Sequence, residues 1–186
     1  MADLFKTGYI IRNQQAVHFL TFTVVGWIDI FSRRVYKDML IESLKFCKSN
    51  KGLNLHAYVI MSNHIHLIGS VRDGYSLSVF IRDFKKFTSR SILDYMENDI
   101  ESRKEWMLHQ FKYYASRHTR NETYQVWKHE NHPIELFTLA FIQQKIDYIH
   151  DNPVRAGYVV EPSHYLYSSA SNYREVESIV EVDCLW

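Results

Sequence analysis

The sequence predicts an α+β fold of the ferredoxin-like kind, an antiparallel sheet with helices packed on one face. Three observations carry this expectation. Short β-branched and aromatic runs alternate with long amphipathic stretches, two of those runs are joined by a two-residue polar turn, and a last amphipathic stretch follows near the C-terminal end. The resulting order is strand, helix, strand, strand, helix, strand, helix.

The first strand is the run from His18 to Val25, rich in Phe, Thr and Val. Ser32 is expected to cap the helix that follows. From Arg34 to Lys51, Val35, Met39, Leu40, Leu44 and Cys47 recur at helical spacing, and Gly52 ends the pattern. Leu53–Met61 and His64–Val71 read as two antiparallel strands joined at Ser62-Asn63, both central in the sheet.

After Gly74 a second helix is expected from Leu77 to Met96, burying Val79, Phe80, Phe84, Phe87, Ile92 and Leu93 and exposing Arg82, Lys85, Lys86 and Arg90. The segment 101–120 reads as an inserted short helix and loop. Tyr124–Trp127 resembles a strand, and a last helix runs from about Thr138 to Asp151, where Asn152-Pro153 should stop it. The tail beyond Gly157 has no regular pattern.

With 186 residues and 46% apolar content, the chain can bury one substantial core, so residues 1–186 are expected to form a single domain. The 22 Lys and Arg nearly balance the 21 Asp and Glu, so any nucleic-acid contact must come from local clusters. Cys47 and Cys184 have no metal-ligand spacing and fit a reducing compartment. The N-terminal residues lack a secretory pattern and no apolar run is long enough for a membrane span, which predicts a cytoplasmic protein with no membrane partner.

The chemistry-bearing pattern is Asn63-His64-Ile65-His66. On a strand, residues two apart share a face at roughly 6 to 7 Å between Cα atoms, so the two imidazoles can converge on one ion. The competing reading is a pair of partly buried histidines bonded to backbone groups. A histidine-triad hydrolase would need a further histidine where Ile68 stands. A third ligand must come from elsewhere in the chain.

The last helix offers one. Leu139, Ile142, Ile146 and Ile149 mark its apolar stripe, and Tyr148 points roughly 140° away from it at 100° per residue. Asn152 lies one turn on, beside Tyr148. A phenol next to a metal site is a nucleophile next to a Lewis acid, whereas a solvent-exposed tyrosine with no role would sit on the same face.

Two ordered motifs, Ala57-Tyr58-Val59-Ile60-Met61-Ser62-Asn63-His64-Ile65-His66-Leu67 and Asp147-Tyr148-Ile149-His150-Asp151-Asn152-Pro153-Val154-Arg155-Ala156-Gly157, flank a helix carrying Phe84-Lys85-Lys86-Phe87-Thr88. From about His18 to Ser169 the chain resembles the REP-associated tyrosine transposases, a branch of the single-tyrosine HUH (insertion-sequence-200-like) transposases. The resemblance implies that His64, His66 and Asn152 hold Mg²⁺ or Mn²⁺ and that Tyr148 becomes linked to the 5′-phosphate of cleaved single-stranded or hairpin DNA. It also implies a homodimer. The longer 101–120 segment and the near-neutral charge depart from the family pattern.

Lys85, Lys86, Arg90, Arg155 and Arg12 are candidates to track a phosphate backbone, with a solvated charged face as the alternative. Trp127, Lys128, His129 and His132 resemble a family segment near the active site, where an aromatic could stack an unpaired base, although Trp127 could equally be core. Two other functions remain open at this point. One is a hairpin-binding regulator without turnover, the other a metal phosphodiesterase that uses water as nucleophile.

Overall fold

A computed structural model describes residues 11–117 and 123–185. The end of the expected 101–120 insertion, residues 118–120, lies outside the described residues. The main elements are β1 (His18–Thr23), α1 (Arg34–Asn50), β2 (Leu53–Ile60), β3 (His64–Val71), α2 (Leu77–Asn98), α3 (Lys104–Ser116), β4 (Ile134–Glu135) and α4 (Leu139–Arg155). The strands form one antiparallel sheet in the order β2-β3-β1-β4. This is the expected α+β order, with α3 supplying the inserted helix.

Alternation along the strands divides the core in two. Leu20, Phe22, Leu55, Tyr58, Ile65 and Leu67 turn to one face, where α1 brings Leu40 and Leu44 and α2 brings Phe80 and Phe84. Phe19, Val59 and Ile68 turn to the other, where they meet Ile142, Ile146 and Ile149 of α4. Helices α1 and α2 thus cover one face as expected, and α4 adds partial cover to the opposite face, lying against β2 and β3. Each buried isoleucine contributes roughly 1.5–3 kcal/mol, which fixes the rotation of α4 about its axis as well as its position.

Several local expectations are corrected. Only β3 of the middle pair is central with β1; β2 is an edge strand. Its outer edge is closed by the C-terminal tail, whose irregular path places the Tyr167 carbonyl on Ile60 N–H (2.9 Å), Ser169 N–H on the Tyr58 carbonyl (3.0 Å) and Asp183 N–H on the Leu55 carbonyl (2.8 Å). The tail protects an edge that would otherwise offer free backbone groups.

Ser32 does not cap α1. It ends a 3-10 turn, Ile30–Ser32, and its hydroxyl receives Arg103 Nη2 (3.4 Å), while Arg33 occupies the cap position without a side-chain bond. On α2 the buried stripe runs through Phe84, Thr88 and Ile92, so Phe87 is 60% exposed and Val79 is also exposed. Thr88 can take the buried position because its hydroxyl donates to the Phe84 carbonyl (2.7 Å).

Tyr124–Trp127 is not a strand. Gln125, Val126 and Trp127 are all buried, without the alternation a strand requires, and Trp127 pairs with Val24 in an isolated bridge. The strand on the outer side of β1 is Ile134–Glu135. Pro153 does not stop α4 either, since the helix continues to Arg155. Its end is a Schellman motif: Tyr158 N–H reaches the Pro153 carbonyl (2.9 Å), Gly157 N–H reaches the Val154 carbonyl (2.9 Å), and Gly157 supplies φ +74°.

Candidate functional site

His64 and His66 project from central strand β3 toward the α4 face, with their ring centroids 4.7 Å apart. β1 lies in register beside them, Thr21 opposite His66 and Thr23 opposite His64. The Thr21 hydroxyl lies 3.0 Å from His66 Nδ1, and the Asn63 side-chain oxygen lies 2.7 Å from His64 Nδ1. With each Nδ1 engaged by an oxygen, Nε2 is the nitrogen presented to a ligand.

Both rings are held neutral near neutral pH. Burial pushes His66 down to about 3, helped by His64, Lys145 and Arg155, and burial also lowers His64. Neutral imidazoles in a pair are what a cation requires of nitrogen ligands. Among the described residues no group of three or more His, Cys, Asp or Glu gathers to hold a metal, so the donor set is two imidazoles plus whatever amide, water or phosphate oxygen joins them. Such a set suits a cation bound jointly with a phosphate.

Helix α4 brings Tyr148 to the histidines. Its apolar stripe faces β2 and β3, Tyr148 lies at the margin of the packed surface and is 38% exposed, and its ring centroid is 5.2 Å from that of His66. Phe19 closes the other side at 6.0 Å. Two cations flank the phenol: the Arg155 guanidinium lies 4.6 Å from the ring centroid and Lys145 Nζ lies 5.7 Å away. Arg155 Nη2 also donates to the Tyr148 carbonyl (2.9 Å), which holds it against the last turns of the helix. Asn152 is half-buried one turn after Tyr148.

Thus His64, His66 and Tyr148 meet, and Arg155 joins them. Lys86 and Arg90 are exposed on α2, Arg90 with Asp94 at 3.6 Å. His129 and His132 are exposed on the segment before β4.

Two expected DNA contacts are corrected. Lys85 turns inward, donates to the carbonyls of Lys128 (2.6 Å) and His129 (3.2 Å), and burial lowers its ammonium to about 8. It organises the segment before β4 and does not face a phosphate track. Trp127 is 4% exposed, stacks on Phe31 and donates its indole N–H to Thr88 (2.9 Å), so it cannot stack a base.

The sequence reading missed Thr21, Lys145 and Trp27. Lys145 was legible, being three residues before Tyr148 on the same helix face. Thr21 needed the β1–β3 register. Trp27 needed the turn Val25–Trp27 that follows β1 and carries its indole to within 6.2 Å of the His64 ring.

The family model described as Transposase IS200 like matches residues 15–130, a span that includes both histidines and ends before α4. No curated protein matches the sequence. Among solved structures, that of a REP-associated tyrosine transposase bound to a REP hairpin superposes with a TM-score of 0.64 at 18% identity, covering 96% of this chain and 90% of the other. A crystal structure assigned to a transposase from Deinococcus radiodurans R1 has a TM-score of 0.46 at 19% identity, covering 80% of this chain and 97% of the other. The first likeness establishes the shared fold.

Proposed function

The chain belongs to the IS200-like transposases, and from that membership we propose that it nicks and rejoins single-stranded DNA through a 5′-phosphotyrosine intermediate. Membership itself makes the protein an enzyme acting on DNA, in transposition or a related processing role. The proposal concerns the chemistry and the residues that perform it.

In this reading His64, His66 and Asn152 are the residues that would hold Mg²⁺ or Mn²⁺. When bound, the cation would polarise the scissile phosphate and draw off charge in the transition state. The Tyr148 phenol oxygen forms a bond to phosphorus and loses its proton to solvent. The bond from phosphorus to the 3′ oxygen breaks, and that oxygen takes up a proton and leaves as a free hydroxyl. One phosphoester replaces another, so the reverse step rejoins a strand without ATP.

Lys145 and Arg155 beside the phenol supply positive potential where an incoming phosphate must sit. Thr21 Oγ1 lies 3.0 Å from His66 Nδ1, and in this reading it accepts the Nδ1 proton, which would keep Nε2 unprotonated for the cation. The observation that carries the reading is the meeting of Tyr148 with His66 inside one chain, 5.2 Å between ring centroids.

The DNA ligand we infer is a single strand at or beside a hairpin, the kind of ligand present in the solved REP-associated relative. Lys86, Arg90, Arg155, His129 and His132 are its candidate contacts. We also infer a homodimer formed edge to edge. Because the tail closes the β2 edge, the edge left open among the described residues is β4, where Ile134 is exposed and is followed by exposed Phe137 and Leu139.

The test is a denaturing gel of the protein mixed with hairpin-flanked single-stranded DNA and Mn²⁺. A covalent protein–DNA adduct formed by the wild type and lost in Tyr148→Phe is the expected result. Cleavage without adduct would replace Tyr148 by water as nucleophile.

A further inference from the structure

Trp27 stands beside the histidine pair with its ring 58% exposed. Its indole meets the His64 imidazole edge-on, 6.2 Å between centroids, and its carbonyl accepts from Asn63 Nδ2 (3.3 Å). A large apolar ring left in water contributes little to the core, and what sets Trp27 apart from the other exposed aromatics is its place beside the histidine pair.

The backbone is arranged to hold it there. Gly26 and Trp27 both lie in the left-handed region, at φ +61° and +56°, a conformation that a tryptophan avoids unless its surroundings impose it. Helix α3 packs against the turn: the Tyr114 ring occupies the space beside Gly26, and a Cβ there would come within 2.9 Å of it. Backbone bonds from Val24 N–H to the Asn63 carbonyl (3.0 Å) and from Val25 N–H to the Val126 carbonyl (2.9 Å) tie the turn to the histidine motif and to the segment carrying Lys128.

Lys128 completes the arrangement. Its backbone N–H is fixed on the Thr23 carbonyl (2.8 Å), and its Nζ lies 4.3 Å from the indole centroid, within cation–π range. An exposed indole with a cation over one face has the two features that bind an unpaired nucleotide, an opposite π face for the base and a charge for its phosphate.

We infer that Trp27 and Lys128 form a subsite for the nucleotide adjoining the scissile phosphate, with the base stacked on the indole and the phosphate paired with Lys128. The inserted helix α3 acts as the brace that presents Trp27. The inference rests on the histidine pair being the cleavage site, as proposed above.

The test is fluorescence anisotropy of the full chain with a labelled oligothymidylate and with an abasic oligonucleotide of equal length. Trp27→Gly removes the ring and suits the positive φ, so it leaves the turn free of backbone strain. It should weaken oligothymidylate binding by about 5- to 100-fold, the effect of losing one base–aromatic stack, and leave abasic binding unchanged. Trp27→Phe should restore most of the loss. Lys128→Ala should weaken both oligonucleotides and lower the salt slope by about one.

Equal oligothymidylate binding by wild type and Trp27→Gly, or an equal loss on the abasic strand, overturns the subsite. So does a wild type that does not bind oligothymidylate. Adduct formation by the wild type is scored separately: an adduct with no stacking effect removes the subsite and leaves the nicking reading. A base-dependent Trp27 effect without any adduct removes the phosphotyrosine intermediate and keeps Trp27 and Lys128 as a nucleotide-binding site beside the histidine pair.

Discussion

The ring of Tyr148 lies 5.2 Å from that of His66, so two motifs far apart in the chain meet within a single subunit. The contact is built from opposite sides. β3 presents the imidazole from the sheet, and Ile142, Ile146 and Ile149 set the rotation of α4 so that Tyr148 reaches it from the margin.

Removing the phenol oxygen should therefore separate chemistry from architecture. Tyr148→Phe keeps the ring between His66 and Arg155, and its stability should stay within about 0.5 kcal/mol of wild type, as for most partly exposed substitutions. Thermal denaturation and the adduct gel measure the two properties, with adduct expected to fall below detection.

Thr21→Val is nearly isosteric and deletes the oxygen on His66 Nδ1. With the ring free to change tautomer, Mn²⁺ affinity should fall by roughly 10- to 100-fold. Thr21→Ser should recover most of it. Calorimetric titration with Mn²⁺ checks this, and an unchanged affinity in Thr21→Val would remove Thr21 from the site.

Lys85 and Lys86 are neighbours with opposite expected phenotypes. Lys85→Ala strips the charged donor from the Lys128 and His129 carbonyls and should cost about 1–3 kcal/mol of stability. Lys86→Ala should leave stability unchanged and lower the salt slope of hairpin-DNA binding by about one. Parallel melting curves and salt titrations distinguish them.

Acid should loosen the fold through His150. Burial lowers this imidazole to about 4, where its Nε2 sits 2.9 Å from Ser169 Oγ on the tail. A histidine depressed in the folded state contributes stability that is complete above its unfolded value near 6.5 and is lost as pH falls toward 4. The loss should reach about 3 kcal/mol from this group. His56, His64 and His66 are shifted in the same direction and add to the trend. Denaturant unfolding of wild type and His150→Gln between pH 7 and 4 should give a shallower decline for the variant.

The proposed dimer predicts sedimentation above the 22.2 kDa monomer. Phe137 is 78% exposed immediately after the β4 edge, so Phe137→Glu should shift the protein to monomer with no loss of stability. A wild type that sediments only as the monomer refutes the edge-to-edge pairing.

By itself the sequence determined the order of the first three strands and of the helices, the two histidines on one strand face and the off-stripe placement of Tyr148, because strand and helix periods of 2 and 3.6 are local properties. It also placed the start of α4 at Thr138, whose hydroxyl accepts from Phe141 N–H (3.2 Å). Only the tertiary structure decided what those periods cannot encode. Whether Trp127 is core or surface, whether Lys85 points out or in, and which strand lies at the edge each depend on what packs against the residue from a distant part of the chain. The stop of α4 falls between these cases. Pro153 lies in the last turn, where the helix can continue past it, and the left-handed Gly157 with its two backbone bonds ends the helix. The same holds for Trp27 and Thr21: one is carried to His64 by a turn braced from α3, the other is aligned with His66 by strand register, and neither relation is written in the spacing of the residues.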